Sequence, residues 1–328
     1  MKILFIGGTG NISNSTSKLC VAKGLDLWLL NRSGLQDITG ATSLQMDINS
    51  AQAASELANH QWDVVVNWVA FTEADIERDI ALFSGKTKQY IYISSASCYL
   101  NPGPTPFITE NTPRENPFWQ YSRDKIAAEQ RLVRAGSEQK LPYTIVRPSH
   151  TYSTVFPLTI GGWNEYTAVD RMKKGLPVIV QGDGTSLWTV THADDFAIGM
   201  VGLLGHPKAL FEDFHITSDE FLSWNEIYQQ LAQAAGCEAK IVHVTSDRIC
   251  QKDPEYIGTL LGDKAVSTIF DNSKIKQLVP EFKATIPFAE GIKRTLAYFD
   301  ADPARQFIDP ATVKLIEDLV AETQQLHA

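Results

Sequence analysis

The segment Lys2-Ile-Leu-Phe-Ile-Gly-Gly-Thr-Gly-Asn-Ile-Ser13 decides the fold. Its apolar run from Ile3 to Ile6 predicts a buried parallel strand, and Gly7-Gly8-Thr9-Gly10 predicts a tight turn into a helix. In such a turn, backbone N–H groups and the N-terminus of the helix point toward a pyrophosphate. The segment therefore predicts a dinucleotide site, with Ser13 where a third glycine would bring helix and strand closest together.

The first 150 residues alternate short apolar runs with helical stretches, which is typical of a parallel sheet covered on both faces. The predicted strands span residues 2–6, 27–31, 43–45, 63–67, 89–93 and 143–147. The clearest predicted helices are 73–83 and 121–134, the second with Ile126, Leu132 and Val133 facing inward. We therefore predict an α/β protein with a doubly wound parallel Rossmann sheet and a smaller C-terminal α/β substrate lobe.

The periodicity loosens after Pro148, where prolines and Gly161-Gly162 indicate loops over the carboxyl edge of the sheet. We assign residues 1–150 to an NAD(P)-binding Rossmann domain, to which the chain returns near 189–218 through a helix at 192–204 and a strand at 213–216. Residues 151–188 and 219–300 are assigned to a substrate-binding lobe. Residues 308–328 contain a predicted amphipathic C-terminal helix that docks on its own chain or on a partner subunit.

Charge and cysteine content restrict the partners. With 29 Lys+Arg against 38 Asp+Glu, the net charge of −9 repels phosphate backbones and acidic membranes. The apolar runs are too short for a spanning helix, and the N-terminus enters a strand directly instead of a signal peptide. The four cysteines are scattered without the spacing of a zinc site. We expect a cytoplasmic monomer or homodimer with a small-molecule substrate, no membrane partner, a disfavoured nucleic-acid partner and no metal.

Proton-transfer chemistry is predicted where strand 89–93 ends in Ser94-Ser95 and a later helix carries Tyr121-Ser-Arg-Asp-Lys125. Residues four apart share a helix face, so Tyr121 and Lys125 project side by side. The lysine ammonium and an oxidised nicotinamide both favour the phenolate, which lowers the tyrosine pKa from its ordinary value of about 10. Ser95 is then expected to hydrogen-bond the substrate oxygen while Tyr121 moves the proton.

Together these features resemble the extended short-chain dehydrogenase/reductase superfamily, the group of the NAD-dependent epimerases and dehydratases, over roughly residues 1–300. The resemblance rests on the glycine turn, Asp47, Ser94-Ser95-Ala96, Tyr121-x-x-x-Lys125, Arg147-Pro148 and His192-Ala193-Asp194-Asp195. It implies that Ser95, Tyr121 and Lys125 form the catalytic set. The cofactor-binding residues that follow from it are Gly7, Gly8, Thr9, Gly10, Asn11, Ile12, Asn31, Arg32, Asp47, Ile48, Ala70, Ser94 and Pro148.

The preference for NAD or NADP is predicted from the end of the second strand, Leu29-Leu30-Asn31-Arg32. No carboxylate is present there for a ribose 2′-hydroxyl, and Arg32 is suited to pair with a 2′-phosphate or to stack on adenine. The alternative is that Arg32 is a solvated loop charge. The sequence therefore favours NADP as the cofactor, with NAD as the alternative.

Departures from the family concern the substrate. Trp188 stands where nucleotide-sugar enzymes place an arginine on the substrate diphosphate, which argues against a nucleotide diphosphate handle. Ala96 and Ser97 stand where sugar dehydratases carry an acidic pair, which argues against dehydration. His150 lies beside the expected substrate cleft, either as a donor to the substrate or as a histidine satisfied by local hydrogen bonds.

The predicted function is an NAD(P)-dependent oxidoreductase or epimerase acting on a hydroxyl or carbonyl carbon of a small, sugar-like substrate. The alternative is an RNA-binding or cofactor-sensing protein on the same fold. Residues 189–197, 214–219 and 222–226 resemble the chloroplast stem-loop-binding proteins and their bacterial relatives, some of which act on or bind RNA. The acidic composition and the complete set of Ser95, Tyr121 and Lys125 favour the enzyme.

Overall fold

The structure is a computed structural model that describes residues 1–35, 38–103 and 105–326. Its strands are, in chain order, β1 (Lys2–Ile6), β2 (Asp26–Asn31), β3 (Thr42–Gln45), β4 (Trp62–Asn67), β5 (Thr87–Ile93), β6 (Phe107–Ile108), β7 (Tyr143–Pro148), β8 (His150–Tyr152), β9 (Pro177–Gln181), β10 (Leu187–Trp188), β11 (Val190–His192), β12 (Glu212–Ile216), β13 (Leu222–Ser223), β14 (Lys240–Val244) and β15 (Ile269–Phe270). Its α-helices are α1 (Ser13–Ala22), α2 (Ala51–Ala58), α3 (Glu73–Phe83), α4 (Gln120–Ser137), α5 (Thr167–Lys173), α6 (Ala193–Leu203), α7 (Trp224–Ala234), α8 (Ser246–Lys252), α9 (Tyr256–Thr259), α10 (Ser273–Leu278), α11 (Phe288–Asp300) and α12 (Pro310–Leu326).

Seven parallel strands form the central sheet in the spatial order β12-β7-β5-β4-β1-β2-β3. Alternate side chains of β1 enter opposite cores: Ile3 and Phe5 pack on the side of α6, and Leu4 and Ile6 pack on the side of α2, α3 and α4. This alternation follows from the two-residue period of a strand. All six predicted strands are present within two residues of their predicted bounds, and the predicted doubly wound fold is confirmed.

The chain returns to the sheet as predicted. Helix α6 and strand β12 lie close to the predicted spans 192–204 and 213–216, and β12 pairs with β7 in parallel. This strand is the seventh member of the sheet and forms its edge. The assignment of whole segments to a nucleotide domain and a substrate lobe remains a prediction.

Helix α4 corrects one detail of the sequence analysis. Ile126 and Leu132 are buried as predicted, but Val133 is 43% exposed. Leu132 and Ala135 lie on the buried stripe together with Glu129, and Val133 is turned about 100° away from Leu132 around the helix. The predicted inward orientation of Val133 is therefore wrong, because this residue lies beside the buried stripe and not on it.

The C-terminal half of the chain builds a second group of buried side chains around the parallel pair β9 and β14. Helix α12 lies within the predicted span 308–328 and docks on its own chain, where Ile316 and Leu319 pack with Ile179 and Val244. In the described ranges no helix is long and apolar enough to cross a membrane.

Candidate functional site

A cleft of about 1590 Å³ opens at the carboxyl edge of the sheet. It is lined at one end by the glycine turn after β1 and at the other by residues of the C-terminal half. Ser95, Tyr121 and Lys125 all line it, as does every predicted cofactor-binding residue except Ala70. One cavity therefore contains nearly all the residues singled out from the sequence.

The glycine turn has a backbone that only glycine adopts easily. Gly7 and Gly8 have φ values of 96° and 101°, in the region that side chains with a Cβ rarely enter. A Cβ on Gly8 would also lie 2.7 Å from the Leu29 side chain. The turn thus presents bare backbone to the cleft, which is the fit that a dinucleotide pyrophosphate requires.

Ser13 takes a local role in the turn. Its Oγ accepts a hydrogen bond of 2.9 Å from the backbone N–H of Gly10, and the following residues continue as α1. In addition, Ser17 Oγ donates to the carbonyl oxygen of Gly8 at 2.7 Å. The helix therefore holds the turn through hydroxyl groups, which replaces the close glycine packing expected at position 13.

Asn11 connects the glycine turn to the segment that follows β7. Its Nδ2 donates to the carbonyl oxygen of Thr151 at 2.9 Å, and its Oδ1 accepts from the backbone N–H of Thr154 at 3.0 Å. Both ends of the amide are engaged by protein. Asn11 thus fixes the two sides of the cleft relative to each other, in addition to lining it.

The end of β2 supplies unsatisfied polar groups to the cleft. Neither side-chain amide atom of Asn31 has a hydrogen-bond partner among the residues that the structure describes, although both atoms are buried. The neighbouring Arg32 is exposed at the rim. Asp47 and Ile48 line the same end, and Asp47 Oδ1 accepts from the backbone N–H of Asn49 at 2.9 Å. A ligand with hydrogen-bonding groups would satisfy this end of the cleft.

Lys125 is fixed by two backbone carbonyl groups. Its Nζ donates to the carbonyl oxygens of Ala70 at 2.7 Å and Ile93 at 2.9 Å. This explains why Ala70 belongs to the site without lining the cleft: it is fully buried and acts through its backbone. Burial lowers the pKa of the Lys125 ammonium to about 8. Since an ammonium has three protons, one N–H remains for a group in the cleft.

Burial governs the acidity of Tyr121 in the chain by itself. Burial raises the pKa of its phenol to about 12, and a hydrogen bond from Ser95 opposes that rise. The Lys125 ammonium lies 5.7 Å from the centre of the Tyr121 ring, and two of its protons are donated to carbonyl groups. In the chain by itself desolvation therefore sets the direction of the tyrosine pKa, and its lowering beside a bound oxidised nicotinamide stays a prediction.

A row of hydroxyl groups orients Ser95. Ser122 Oγ on α4 donates to Ser97 Oγ at 2.8 Å, so the proton of Ser97 is free to face Ser95 Oγ at 2.9 Å. Ser95 Oγ also accepts from the backbone N–H of Ser97 at 3.2 Å. With its acceptor positions occupied, Ser95 directs its own proton toward the Tyr121 phenol, which lines the cleft. Ser97 occupies one of the two positions where sugar dehydratases carry an acidic pair, and here its hydroxyl positions Ser95.

A buried ion-pair network lies behind the helix that carries Tyr121 and Lys125. Arg147 of β7 donates through Nε and Nη2 to the two carboxylate oxygens of Glu129 on α4, both at 2.7 Å. Its Nη1 donates to Asp213 of β12 at 2.6 Å and to the Tyr99 hydroxyl at 3.0 Å. The network therefore ties α4 to two neighbouring strands of the sheet.

His150 and the tryptophans occupy the far side of the cleft. Of the two alternatives for His150, local satisfaction is wrong: neither ring nitrogen has a hydrogen-bond partner in the described part of the chain. Burial, aided by the Lys264 charge, lowers its pKa well below the ordinary value, which keeps the ring neutral. Trp163 and Trp188 line the cleft, whereas Trp224 is a core residue stacked on Trp188 with ring centres 5.9 Å apart.

Several residues of the cleft were not identified from the sequence. They are Trp119, Glu165, Asp253, Glu255, Asp263, Lys264 and Asp309. They come from four separate segments, and nothing in their local pattern distinguishes them from ordinary surface charges. Within the described ranges, no group of three or more His, Cys, Asp or Glu residues is arranged to hold a metal ion.

Comparison with known proteins identifies the family of this chain. The family model described as "NAD dependent epimerase/dehydratase family" matches residues 3–216. The chain belongs to this family. The match confirms the predicted superfamily, and with it the predicted type of protein, a nucleotide-dependent enzyme of the short-chain dehydrogenase/reductase type.

Individual relatives are distant. The chloroplast stem-loop binding protein of 41 kDa b of Arabidopsis thaliana is 27% identical over 74% of this chain, which covers 65% of that protein. The 2′-dehydrokanamycin reductase of Streptomyces kanamyceticus is 23% identical over 86% of this chain and 80% of its own length. The UDP-glucuronic acid 4-epimerase of Bacillus cereus, solved with UDP-glucuronic acid and NAD, superposes with a TM-score of 0.73 at 18% identity, covering 92% of this chain and 99% of that one. The last comparison concerns the fold alone.

Proposed function

We propose that this protein is an NADP-linked oxidoreductase or epimerase that acts on a hydroxyl or carbonyl carbon of a small, sugar-like substrate. The observation that carries the proposal is the convergence of the glycine turn, Ser95, Tyr121 and Lys125 on one cleft. A nicotinamide nucleotide supplies or accepts a hydride when bound. Net redox and transient-redox epimerisation need the same three side chains, so the proposal covers both.

The proton steps follow from the hydrogen bonds of the chain. At neutral pH the Tyr121 phenol keeps its proton, because burial raises its pKa to about 12, and so it is ready to donate to a substrate oxygen. Ser95 turns the proton that it otherwise donates to the Tyr121 phenol toward the same substrate oxygen, and so holds that oxygen near the phenol. The remaining N–H of Lys125 faces the cleft, where its positive charge stabilises the phenolate left behind.

The test of this proposal is Tyr121→Phe. A screen of NADPH oxidation across aldehydes, ketones and sugars first identifies a substrate, and kcat is then measured for the variant. We expect a loss of about 10²-fold or more, with NADPH binding unchanged. Tyr92→Phe is the matched control: its buried hydroxyl has no partner among the described residues, and its ring lies 5.0 Å from Lys125 Nζ. Equal turnover by Tyr121→Phe and the wild type would contradict the mechanism.

The preference for NADP rests on Asn31 and Arg32. The unsatisfied amide of Asn31 and the exposed guanidinium of Arg32 lie together at the end of β2, which offers a 2′-phosphate a cation and itself carries no carboxylate. Fluorescence titration should give tighter binding of NADPH than of NADH. Arg32→Ala should weaken NADPH binding about tenfold or more and leave NADH nearly unchanged. Arg134→Ala, outside the cleft, is the control, and tighter binding of NADH by the wild type would overturn the preference.

RNA binding is the second candidate, favoured by the similarity to the stem-loop binding protein. The net charge of −9 and the many acidic side chains in the cleft oppose it. Filter retention of a labelled RNA stem-loop tests it directly. Salt-dependent retention would support this candidate, whereas the absence of retention even at low salt would dismiss it.

A further inference from the structure

The end of the cleft away from the glycine turn is strongly acidic. Its lining includes the carboxylates of Glu165, Asp253, Glu255 and Asp309. Among the described residues, the lining has four cationic side chains: Arg32, Arg78, Lys125 and Lys264. Arg78 donates to Asn49, at the same end of the cleft as Asp47. Lys264 is already paired, because its Nζ donates to Asp263 Oδ2 at 2.7 Å.

Within the described part of the chain, no lysine or arginine forms an ion pair with the carboxylates of Glu165, Asp253, Glu255 and Asp309. Their partners are neutral instead. Thr312 Oγ1 has a single proton, which is shared between Glu165 at 3.0 Å and Asp309 at 3.1 Å. Asp253 Oδ1 accepts from the backbone N–H of Glu255 at 3.0 Å. The negative charge at this end of the cleft is therefore left without a counter-charge from the chain.

Electrostatic effects agree with this geometry. Burial raises the pKa of Glu165, and the nearby Asp309 carboxylate raises it further. The pKa of Tyr256 is raised by burial and then by Glu165, Asp253 and Asp309. Glu165, Asp253 and Asp309 therefore all act on one tyrosine that lines the cleft with them, and a cation bound there would relieve their repulsion.

Two unsatisfied side chains point independently to a ligand in this cleft. His150 is 8% exposed, lines the cleft and has no hydrogen-bond partner for either ring nitrogen among the described residues. Trp188 is 2% exposed, and its Nε1 likewise lacks a partner in that part of the chain. Leaving a buried polar group unpaired costs about 1–3 kcal/mol, so such groups are usually satisfied by a ligand or water. A neutral His150 both accepts and donates, which suits a hydroxyl or amino group.

We propose that this end of the cleft binds a hydroxylated substrate that carries protonated amino groups, so that the substrate class is an aminated polyol or amino sugar and not an anionic sugar nucleotide. The inference rests on the proposed function and adds the charge of its substrate. The ammonium groups meet Glu165, Asp253, Glu255 and Asp309, the sugar ring packs against Trp163, and the reacting carbon faces Tyr121. A nucleotide diphosphate in the same place would meet uncompensated carboxylates and would be repelled.

Calorimetric titration of the protein saturated with NADPH tests this inference at pH 7. The probes are 2-deoxystreptamine, which is a cyclic polyol with two amines, its di-N-acetyl derivative, and UDP-glucose. Each exposed ammonium–carboxylate pair strengthens binding up to about fivefold, so the diamine should bind about tenfold more tightly than its acetylated form. UDP-glucose should bind more weakly than both. The advantage of the diamine should shrink as salt is added.

Glu255→Gln is the discriminating variant, because Glu255 is exposed at the cleft and its side chain supports no structural hydrogen bond in the described residues. It should weaken the diamine about two- to fivefold and leave the acetylated form unchanged. Glu238→Gln, an exposed glutamate outside the cleft, should change neither. Equal binding of the amine and acetyl forms, tighter binding of UDP-glucose, no binding of the diamine, or no effect of Glu255→Gln would overturn the inference. NADPH binding is measured on the same samples, and its failure would instead reject the proposed function.

Discussion

Replacing Glu129 by glutamine should destabilise the protein far more than any exposed charge change on the same helix. Arg147 is fully buried and the Glu129 side chain is 3% exposed, so the two bonds of 2.7 Å between them are shielded from water. Removing one partner of a buried pair costs about 3–5 kcal/mol, because it leaves an uncompensated charge. Asp213 still faces Arg147 Nη1 at 2.6 Å, so we expect the lower end, about 3 kcal/mol.

Urea unfolding at neutral pH measures this loss as a change in the free energy of unfolding. The control is Glu73→Gln, which breaks the ion pair between Glu73 and Arg134 of α4; both side chains are about half exposed and the distance is 2.8 Å. An exposed pair contributes about 0–1 kcal/mol, so this variant should unfold nearly as the wild type does. A loss below about 1 kcal/mol for Glu129→Gln, or equal losses for the two variants, would refute the reasoning.

Three further predictions concern the site and its pH dependence. Gly8→Ala should lower the free energy of unfolding in urea by more than about 2 kcal/mol and weaken NADPH binding, because the new Cβ meets the Leu29 side chain at 2.7 Å. Gly24 also has a positive φ, of 69°, but open space around it, so Gly24→Ala should lower that free energy by only about 1 kcal/mol. The rate of reduction should fall as pH rises through about 8, where Lys125 loses its charge; a pH–rate profile of Lys125→Arg should lack that fall, and an unchanged profile would contradict the role of Lys125. Burial alone would raise the pKa of Asp213, but the Arg147 guanidinium outweighs burial and lowers it. The stability from this ion pair should therefore persist above about pH 4 and be lost as the pH falls further. An acid unfolding midpoint of Asp213→Asn equal to that of the wild type would contradict this.

The parts of the molecule that depend on local sequence were predictable. Helix α3 has its predicted bounds because a capping box at Thr72 and Asp75 begins it, and Tyr121 and Lys125 share a face because the helical period brings residues four apart together. The glycine turn was recognisable because few other sequences form its backbone.

Properties that depend on burial and on distant segments were not predictable. The raised pKa of Tyr121 follows from desolvation by side chains that pack around it only in the folded chain. The pairing of Glu129 with Arg147 joins a helix to a strand through positions that look like ordinary charges in the sequence. The acidic end of the cleft needs Glu165, Asp253 and Asp309 to meet across long stretches of chain, and no local period specifies that meeting.

The acidic end of the cleft and the proposed proton-transfer residues belong to different parts of the covalent chain. Residues 253–264 and Asp309, directly before α12, supply much of that acidic end, whereas Ser95, Tyr121 and Lys125 are attached to β5 and α4. Mutant libraries confined to 253–264 and 309–315 would therefore change which molecules are accepted while leaving the reacting groups intact. This separation offers a route to re-engineering selectivity, in which a new specificity is installed by exchanging two short C-terminal segments.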